Sequence, residues 1–456
     1  MRVMKWSAIA LAVTAGTTQL ASAAAFVSDQ ADAKGFVEDS SLNVLLRNYY
    51  FNRDNKGHDP DGTPHHDSID WTQGFRGNFS SGFTQGVVGF GVDAFGYLSV
   101  KLDGGDGTTG TNNSAISAPD ANGKTHVQDS MGKAGAAVKV RFSKTQLTYG
   151  QQQPTTSPVF AIGGSRVLPQ TATGFQLQSS EVKGLDVEGG HFTSASSESQ
   201  MNADGELGTA YTGIKARSID YAGGKYAITD SLSVSLYGAK LKDIWNQYYT
   251  NVNYTLPLTD TQSLAFDFNY YNTRDSGAAN AGEINNNSYS LQAAYSFLTA
   301  HTVTLAFQKI NGSQPFDYIG VGDNDRGGDS IFLANSIQYS DFNSPGEKSA
   351  QIRYDLNMAS FGVPGLTFMT RYVYGWDIDY SKGNQDSPGY GGYFNPALTD
   401  VRHHETNLEA KYVVQTGPVK DLSFRIRQAW HTADAGQIDG DTKEFRLIVD
   451  YPISIL

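Results

Sequence analysis

Near its C-terminus the chain reads Leu422-Ser423-Phe424-Arg425-Ile426-Arg427-Gln428-Ala429-Trp430, an almost unbroken alternation of apolar and polar residues. Side chains on a strand alternate between its two faces, so one face is greasy and the other carries two arginines. The same period of two recurs at Leu264, Phe266, Phe268 and Tyr270 against Asp267 and Asn269. It recurs again at Val303, Leu305 and Phe307 against Thr302, Thr304 and Gln308, and at Val138, Val140 and Phe142 against Lys139 and Arg141. These are strands of about ten residues, the length a tilted strand needs to cross a bilayer.

Composition agrees. With 25 Tyr, 24 Phe and 49 Gly but only 14 Pro and no Cys, the chain is rich in strand and turn formers and has no disulfides. Beyond the N-terminus no segment approaches the roughly 18 unbroken apolar residues of a helical span. Lipid offers the backbone no hydrogen bonds, so spanning strands must pair until their sheet closes. Short turns at Thr229-Asp230 and Leu258-Thr259-Asp260 alternate with long polar stretches at 54–69 and 103–127, as in a transmembrane barrel. At roughly 45 to 50 residues per hairpin the chain holds about 18 antiparallel strands, enough for an aqueous lumen. Aromatic residues near strand ends, Trp71, Trp245 with Tyr248 and Tyr249, Trp376 and Trp430, are expected to form an interfacial girdle.

Arg2 and Lys5, the apolar run from Ala8 to Val13 and the small-residue exit Ala21-Ser22-Ala23-Ala24-Ala25 form a secretory signal peptide. Residues 1–23 are expected to be removed, leaving 24–456 as the barrel. Such a protein meets the barrel-assembly machinery, then outer-membrane lipid and lipopolysaccharide.

The formal charge of −12 suggests a cation-seeking surface, but position matters more. Lys139, Arg141, Lys411, Arg425, Arg427 and Arg446 lie on the parity opposite to the outward apolar residues. Each would cost roughly 2–4 kcal/mol facing mid-bilayer lipid, so they face the lumen. Arg47 and Arg53 share a parity on the first strand, and Arg353 shares one with Gln351 and Asp355. A row of inward guanidinium and ammonium groups offers a carboxylate successive weak sites, each replacing part of its hydration. Two loops are expected to narrow the path. In residues 151–173, Pro154, Pro158 and Pro169 resist strand formation, and Gly163-Gly164 allows a bend that puts Ser165 and Arg166 in the eyelet. The second loop carries Asp329, Ser330, Tyr339 and Asp341, whose carboxylates and hydroxyls would face the basic row.

Several runs resemble the OprD family of outer-membrane carboxylate channels over nearly the whole mature length. They include Gly35-Phe36-Val37-Glu38-Asp39-Ser40-Ser41-Leu42-Asn43, Ser81-Gly82-Phe83-Thr84-Gln85-Gly86 and Asp243-Ile244-Trp245-Asn246-Gln247-Tyr248-Tyr249. Gly327-Gly328-Asp329-Ser330-Ile331-Phe332-Leu333-Ala334-Asn335, Val363-Pro364-Gly365-Leu366-Thr367-Phe368-Met369 and Phe445-Arg446-Leu447-Ile448-Val449-Asp450-Tyr451-Pro452 continue the match. The resemblance implies an 18-stranded barrel, monomeric or a loose trimer, with inward-folded loops and selectivity for small carboxylates. Asp329, Ser330, Tyr339 and Asp341 match positions of the family's narrow region. Gly163-Gly164-Ser165-Arg166 and Leu168 to Phe175 look more like the benzoate and vanillate type channels than the basic amino acid type. Aromatic acids therefore lead, with amino acids and other carboxylates open. The chain departs from most outer-membrane barrels in ending at Leu456 where they end in Phe, although Tyr451 and Ile453 keep the outward alternation.

Other readings find less. No nucleophile with an oriented base emerges by spacing, so the chain is not expected to be an enzyme. A general porin without a solute site remains a rival, whereas a TonB-dependent transporter would need a globular plug ahead of the first strand. Asp323-Asn324-Asp325-Arg326-Gly327 hints at a calcium loop, but the ligand spacing breaks at Gly327 and the twelfth position is Ala334. His65-His66-Asp67 and His403-His404-Glu405 place neighbouring histidines on opposite faces of a strand, so both read as solvated or lumenal polar residues and not as metal sites. No Gly-Lys-Ser/Thr ending supports nucleotide binding. Neither a cofactor nor a nucleic-acid partner is expected.

Overall fold

In the computed structural model, which describes residues 25–56, 65–104, 107–117, 120–121, 125–323 and 327–456, eighteen antiparallel strands form one closed sheet. The first strand, Ser41–Asn55, pairs with Ser68–Ser80 on one side and with the last strand, Thr442–Ser454, on the other. Every strand edge is thus satisfied, which is what lipid requires. The expected leader, parts of the long connections and residues 324–326 of the calcium-like stretch lie outside the described residues.

Alternation decides which way each side chain points. In Ser423–Ala433, Phe424, Ile426 and Trp430 are exposed on the outer surface, while Ala429 and His431 on the parity of Arg425 and Arg427 are buried. Leu305, Val138 and Ile352 are each more than half exposed, at 56, 54 and 54%. A continuous apolar band of this kind is stable only against lipid.

Turns follow the same economy of backbone. Lys183-Gly184 joins Thr171–Val182 to Leu185–Ser196, with Gly184 at φ +78° supplying the left-handed geometry of a tight hairpin. Gly174 sits at a register shift, where a Cβ would lie 2.2 Å from the His191 carbonyl oxygen, so only glycine admits this bulge.

The girdle expectation fails at two residues. Trp245 and Tyr249 are buried inside the barrel, at 1 and 4% exposure, because they share the inward parity of Gln247. Tyr248 between them is exposed outside, as are Trp71 and Trp430. Aromatic character alone had suggested the wrong face, and strand parity overrides it.

The lumen is also less open than strand number implied. The first inward loop contributes Val159, Phe160 and Ile162, and the second contributes Phe316, Ile331 and Leu333. These pack on Phe192, Tyr221, Tyr249 and Tyr271 of the inner wall. Each large apolar side chain so buried contributes about 1.5–3 kcal/mol. A three-stranded sheet inside the barrel, Leu207–Thr209 with Lys215–Ala216 and Ile319–Val321, ties another long connection to the second loop. One side of the barrel is therefore filled, and the open path is displaced toward the other side.

Cysteine scanning of the strand Ser423–Ala433 tests the placement. A thiol reagent excluded from lipid should label a cysteine at position 425 and spare one at 424, and the reverse result would invert the barrel's faces.

Candidate functional site: a basic wall facing two inward loops

Six neighbouring strands carry the basic wall. Arg353 lies on Lys348–Asn357, Arg371 on Leu366–Ile378, Lys411 on Val401–Val413, Arg425 and Arg427 on Ser423–Ala433, Arg446 on Thr442–Ser454 and Arg53 on Ser41–Asn55. Consecutive pairing of these strands brings the inward rows side by side across the seam where the sheet closes. Arg371 was not among the residues singled out from sequence. Its shared parity with buried Val373, opposite Tyr372, is the signal that could have found it.

The wall is paired, yet not neutralised. Glu444 is 2.7 Å from Arg53 and 2.6 Å from Arg446, and Glu409 is 2.7 Å from Arg425 and 3.1 Å from Arg427. One carboxylate between two guanidiniums leaves each group one positive charge in excess. Arg371 donates to the neutral Asn407 at 2.9 and 2.7 Å, and Arg353 pairs with Asp355 at 2.7 Å. Toward the short-turn end, Lys139 binds Asp93 at 2.6 Å. Arg141 donates to Ser28 and Gln30 of the N-terminal segment at 2.6 and 3.0 Å, with Phe83 beneath it.

Two arginines hold the first loop by its backbone. Arg47 makes a two-pronged pair with Asp450, at 2.8 Å each, and gives its remaining donors to the carbonyls of Gly164 and Arg166 at 3.2 and 2.9 Å. Arg76, which sequence alone does not single out, donates to the Val167 carbonyl at 2.6 Å and to the Arg166 carbonyl. Arg47 thus ties the first loop to the first and last strands. Arg166 itself donates to the Thr111 carbonyl at 2.8 Å and to Ser165 at 3.2 Å, with its guanidinium 5.4 Å from the Phe51 ring.

The second loop meets the first through Gly163, where a Cβ would lie 3.0 Å from the Asp329 carboxyl. Ser330 does not reach the lumen, being fully buried, and its hydroxyl accepts from Ala161 N–H at 2.7 Å. Asp341 accepts from Ser336, Tyr211 and Tyr318 at 2.6, 2.7 and 3.0 Å. Burial raises its carboxyl above the usual range against the pull of those donors. Burial likewise pushes Asp317 up to about 7, although Tyr211 and Tyr318 N–H and the Tyr390 hydroxyl donate to it. Tyr339 donates to the Asp439 carbonyl at 2.5 Å and faces the Arg53 guanidinium at 5.1 Å.

Wall and loops enclose a chamber of about 760 Å³. Arg53, Arg427 and Arg446 line it from the wall, and Ser165, Arg166, Asp329, Tyr339 and Asp341 from the loops. Carboxylates on one set of elements and excess guanidinium on the other set up a field across the path.

Arg76→Ala tests the anchoring. Stranding buried carbonyls costs about 1–3 kcal/mol each, so the first loop should loosen and single-channel conductance should rise with more frequent fluctuations. Wild-type conductance would show that Arg76 does not hold the eyelet.

The chain matches the family described as outer membrane porin, OprD family, over residues 34–455. It is similar to Porin D of Pseudomonas aeruginosa, 63% identical over 458 residues and the full length of both chains. A crystal structure of Pseudomonas aeruginosa OprD superposes with a TM-score of 0.81 at 60% identity, covering 95% of this chain and 100% of that one. The structure of Pseudomonas aeruginosa OpdK with vanillate gives a TM-score of 0.78 at 29% identity, covering 92% and 100%. Sequence identity to Pseudomonas aeruginosa OprD is thus about twice that to the vanillate-bound channel, while the TM-scores are close. The chain belongs to the OprD family, and it is an outer-membrane porin for uptake of small solutes, not an enzyme.

Proposed function

We propose that this porin, exported by residues 1–23, is a passive path for small carboxylate-bearing solutes and works as a monomer. One observation carries the reading: arginines on neighbouring strands share too few carboxylates, so a positive strip runs along the open side of the lumen. A solute carboxylate exchanges part of its water for guanidinium N–H donors at Arg427, Arg446 or Arg53 and passes to the next before any one holds it long. Wall, loops and chamber are complete within one chain, so the path itself needs no partner copy, whether the barrel stands alone or in a loose trimer.

Within that class, aromatic acids such as benzoate or vanillate need only the basic wall. A second reading, basic amino acids, is favoured by Asp329, which is exposed to the chamber opposite the arginines and suits a solute carrying a cation beside its carboxylate. Porin D similarity adds weight to the separation from the vanillate-bound relative.

Uptake into liposomes, with a panel of benzoate, vanillate, arginine, lysine and a neutral sugar of similar size, tests both readings. Saturable uptake of carboxylates above the sugar is expected, and equal flux of all five would mark a non-selective porin. Arg427→Gln should lower carboxylate uptake about tenfold, the equivalent of about 1.4 kcal/mol. Asp329→Asn should depress arginine and lysine selectively if the second reading holds, and should leave the panel's order unchanged if it does not. At the eyelet, Arg166→Lys keeps the charge and loses the planar fork. Uptake falling for Lys as far as for Ala assigns it a two-pronged carboxylate contact, and unchanged uptake in both removes it from the path.

A further inference from the structure

Behind the second loop, on the side away from the chamber, two histidines meet. His403 lies on Val401–Val413 and His431 on Ser423–Ala433, at diagonal positions because His431 stands opposite Glu405. Both side chains are buried, and Nδ1 of His403 lies 2.8 Å from Nε2 of His431. Their outer nitrogens are spoken for. Nε2 of His403 is 2.8 Å from a Glu347 carboxylate oxygen, and Nδ1 of His431 is 2.6 Å from the Gly440 carbonyl oxygen. A carbonyl only accepts, so His431 Nδ1 carries its proton there and Nε2 presents a lone pair. His403 turns its Nδ1 to the same point, so two ring nitrogens face each other at hydrogen-bond distance. Such a pair is held either by one shared proton or by a metal ion between the nitrogens.

The rest of the pocket points to the metal. Asp439 brings a carboxylate oxygen to 3.9 Å from His403 Nδ1, and all three ligand atoms lie within 4.8 Å of one another. Each ring already has the second-sphere acceptor that orients metal-bound histidines, a carboxylate for one and a carbonyl for the other. A tetrahedral zinc site spaces its nitrogens about 3.3 Å apart, a few tenths of an ångström wider than here. Asp439 is 21% exposed, which opens a route from the outer loop between the last two strands.

We propose that His403, His431 and Asp439 bind one divalent transition-metal ion of the zinc class, with water completing the tetrahedron, and that this ion fastens the second loop to the barrel wall. Binding inserts the metal between the two nitrogens and releases the proton they held. Phe342 stacks on His403 at 4.3 Å, Tyr339 lies 5.2 Å from His431, and Ser340 donates to Asp439 at 2.7 Å. The metal thereby reaches Tyr339 at the chamber through one layer of contacts.

The test is zinc titration of the purified, chelator-stripped porin in detergent. Calorimetry should show one tight zinc ion per chain with release of about one proton, and cobalt(II) in its place should show the visible bands of a four-coordinate N/O site. His431→Gln should abolish the tight equivalent. Glu347→Gln keeps all three ligands and should weaken binding roughly 10–100-fold. Asp439→Asn provides a milder ligand change, and folding of each variant is read from heat-modifiable gel mobility. His65→Gln with His66→Gln should bind as wild type. No zinc bound by the wild type, or stoichiometric binding that survives His431→Gln in a folded barrel, overturns the proposal. Loss of binding in the His65/His66 variant would do the same.

Discussion

A peptide group in hydrocarbon has no water to bond, and nearly everything here follows from that. The sheet must close, closure fixes alternating faces, and alternating faces dictate where every charge can sit. Arginines are tolerable on the spanning strands because the inner face is theirs. Once inside, they are held by a smaller number of carboxylates, and the surplus gives the lumen its sign.

That surplus would be diluted in a wide, evenly wetted tube. Filling one side of the lumen with Phe160, Phe192, Tyr221 and Tyr271 prevents it. The apolar packing of the loops and the polar chemistry of the wall are thus two halves of one device. The loops do not hang in a pore; they form a core on one side and leave the open space against the basic side. Arg47 and Arg76 join the halves, since they belong to the wall and hold the first loop by its carbonyls.

Strand existence, number and facing were legible because period-two alternation survives in a single sequence, as at Phe424 to Arg427. Positions whose meaning depends on partners distant in the chain were not. Trp245 and Tyr249 share an inward parity, but that they are buried there depends on the second loop, whose Phe332 packs on Tyr249. Ser330 looked lumenal until the first loop covered it. Arg76 shares the polar inward parity of Asp70 and Thr72, opposite Trp71 and Phe75, but its hold on the first loop's carbonyls depends on a segment 90 residues away. The His403–His431 contact depends on register between neighbouring strands, which no local pattern encodes.

The seam between first and last strands has a meaning beyond permeation. Arg47 and Asp450 stand directly opposite each other although 403 residues separate them, and Arg53 faces Glu444 in the same ladder. In a sheet that has not closed, Arg47 and Arg53 lack these carboxylates and must remain hydrated, which opposes release of an open sheet into hydrocarbon. They lose that need for water only when the two ends of the chain meet. The ionic seam therefore acts as a proof of completion: a sheet missing its last strand still wears the charges that bar it from the membrane.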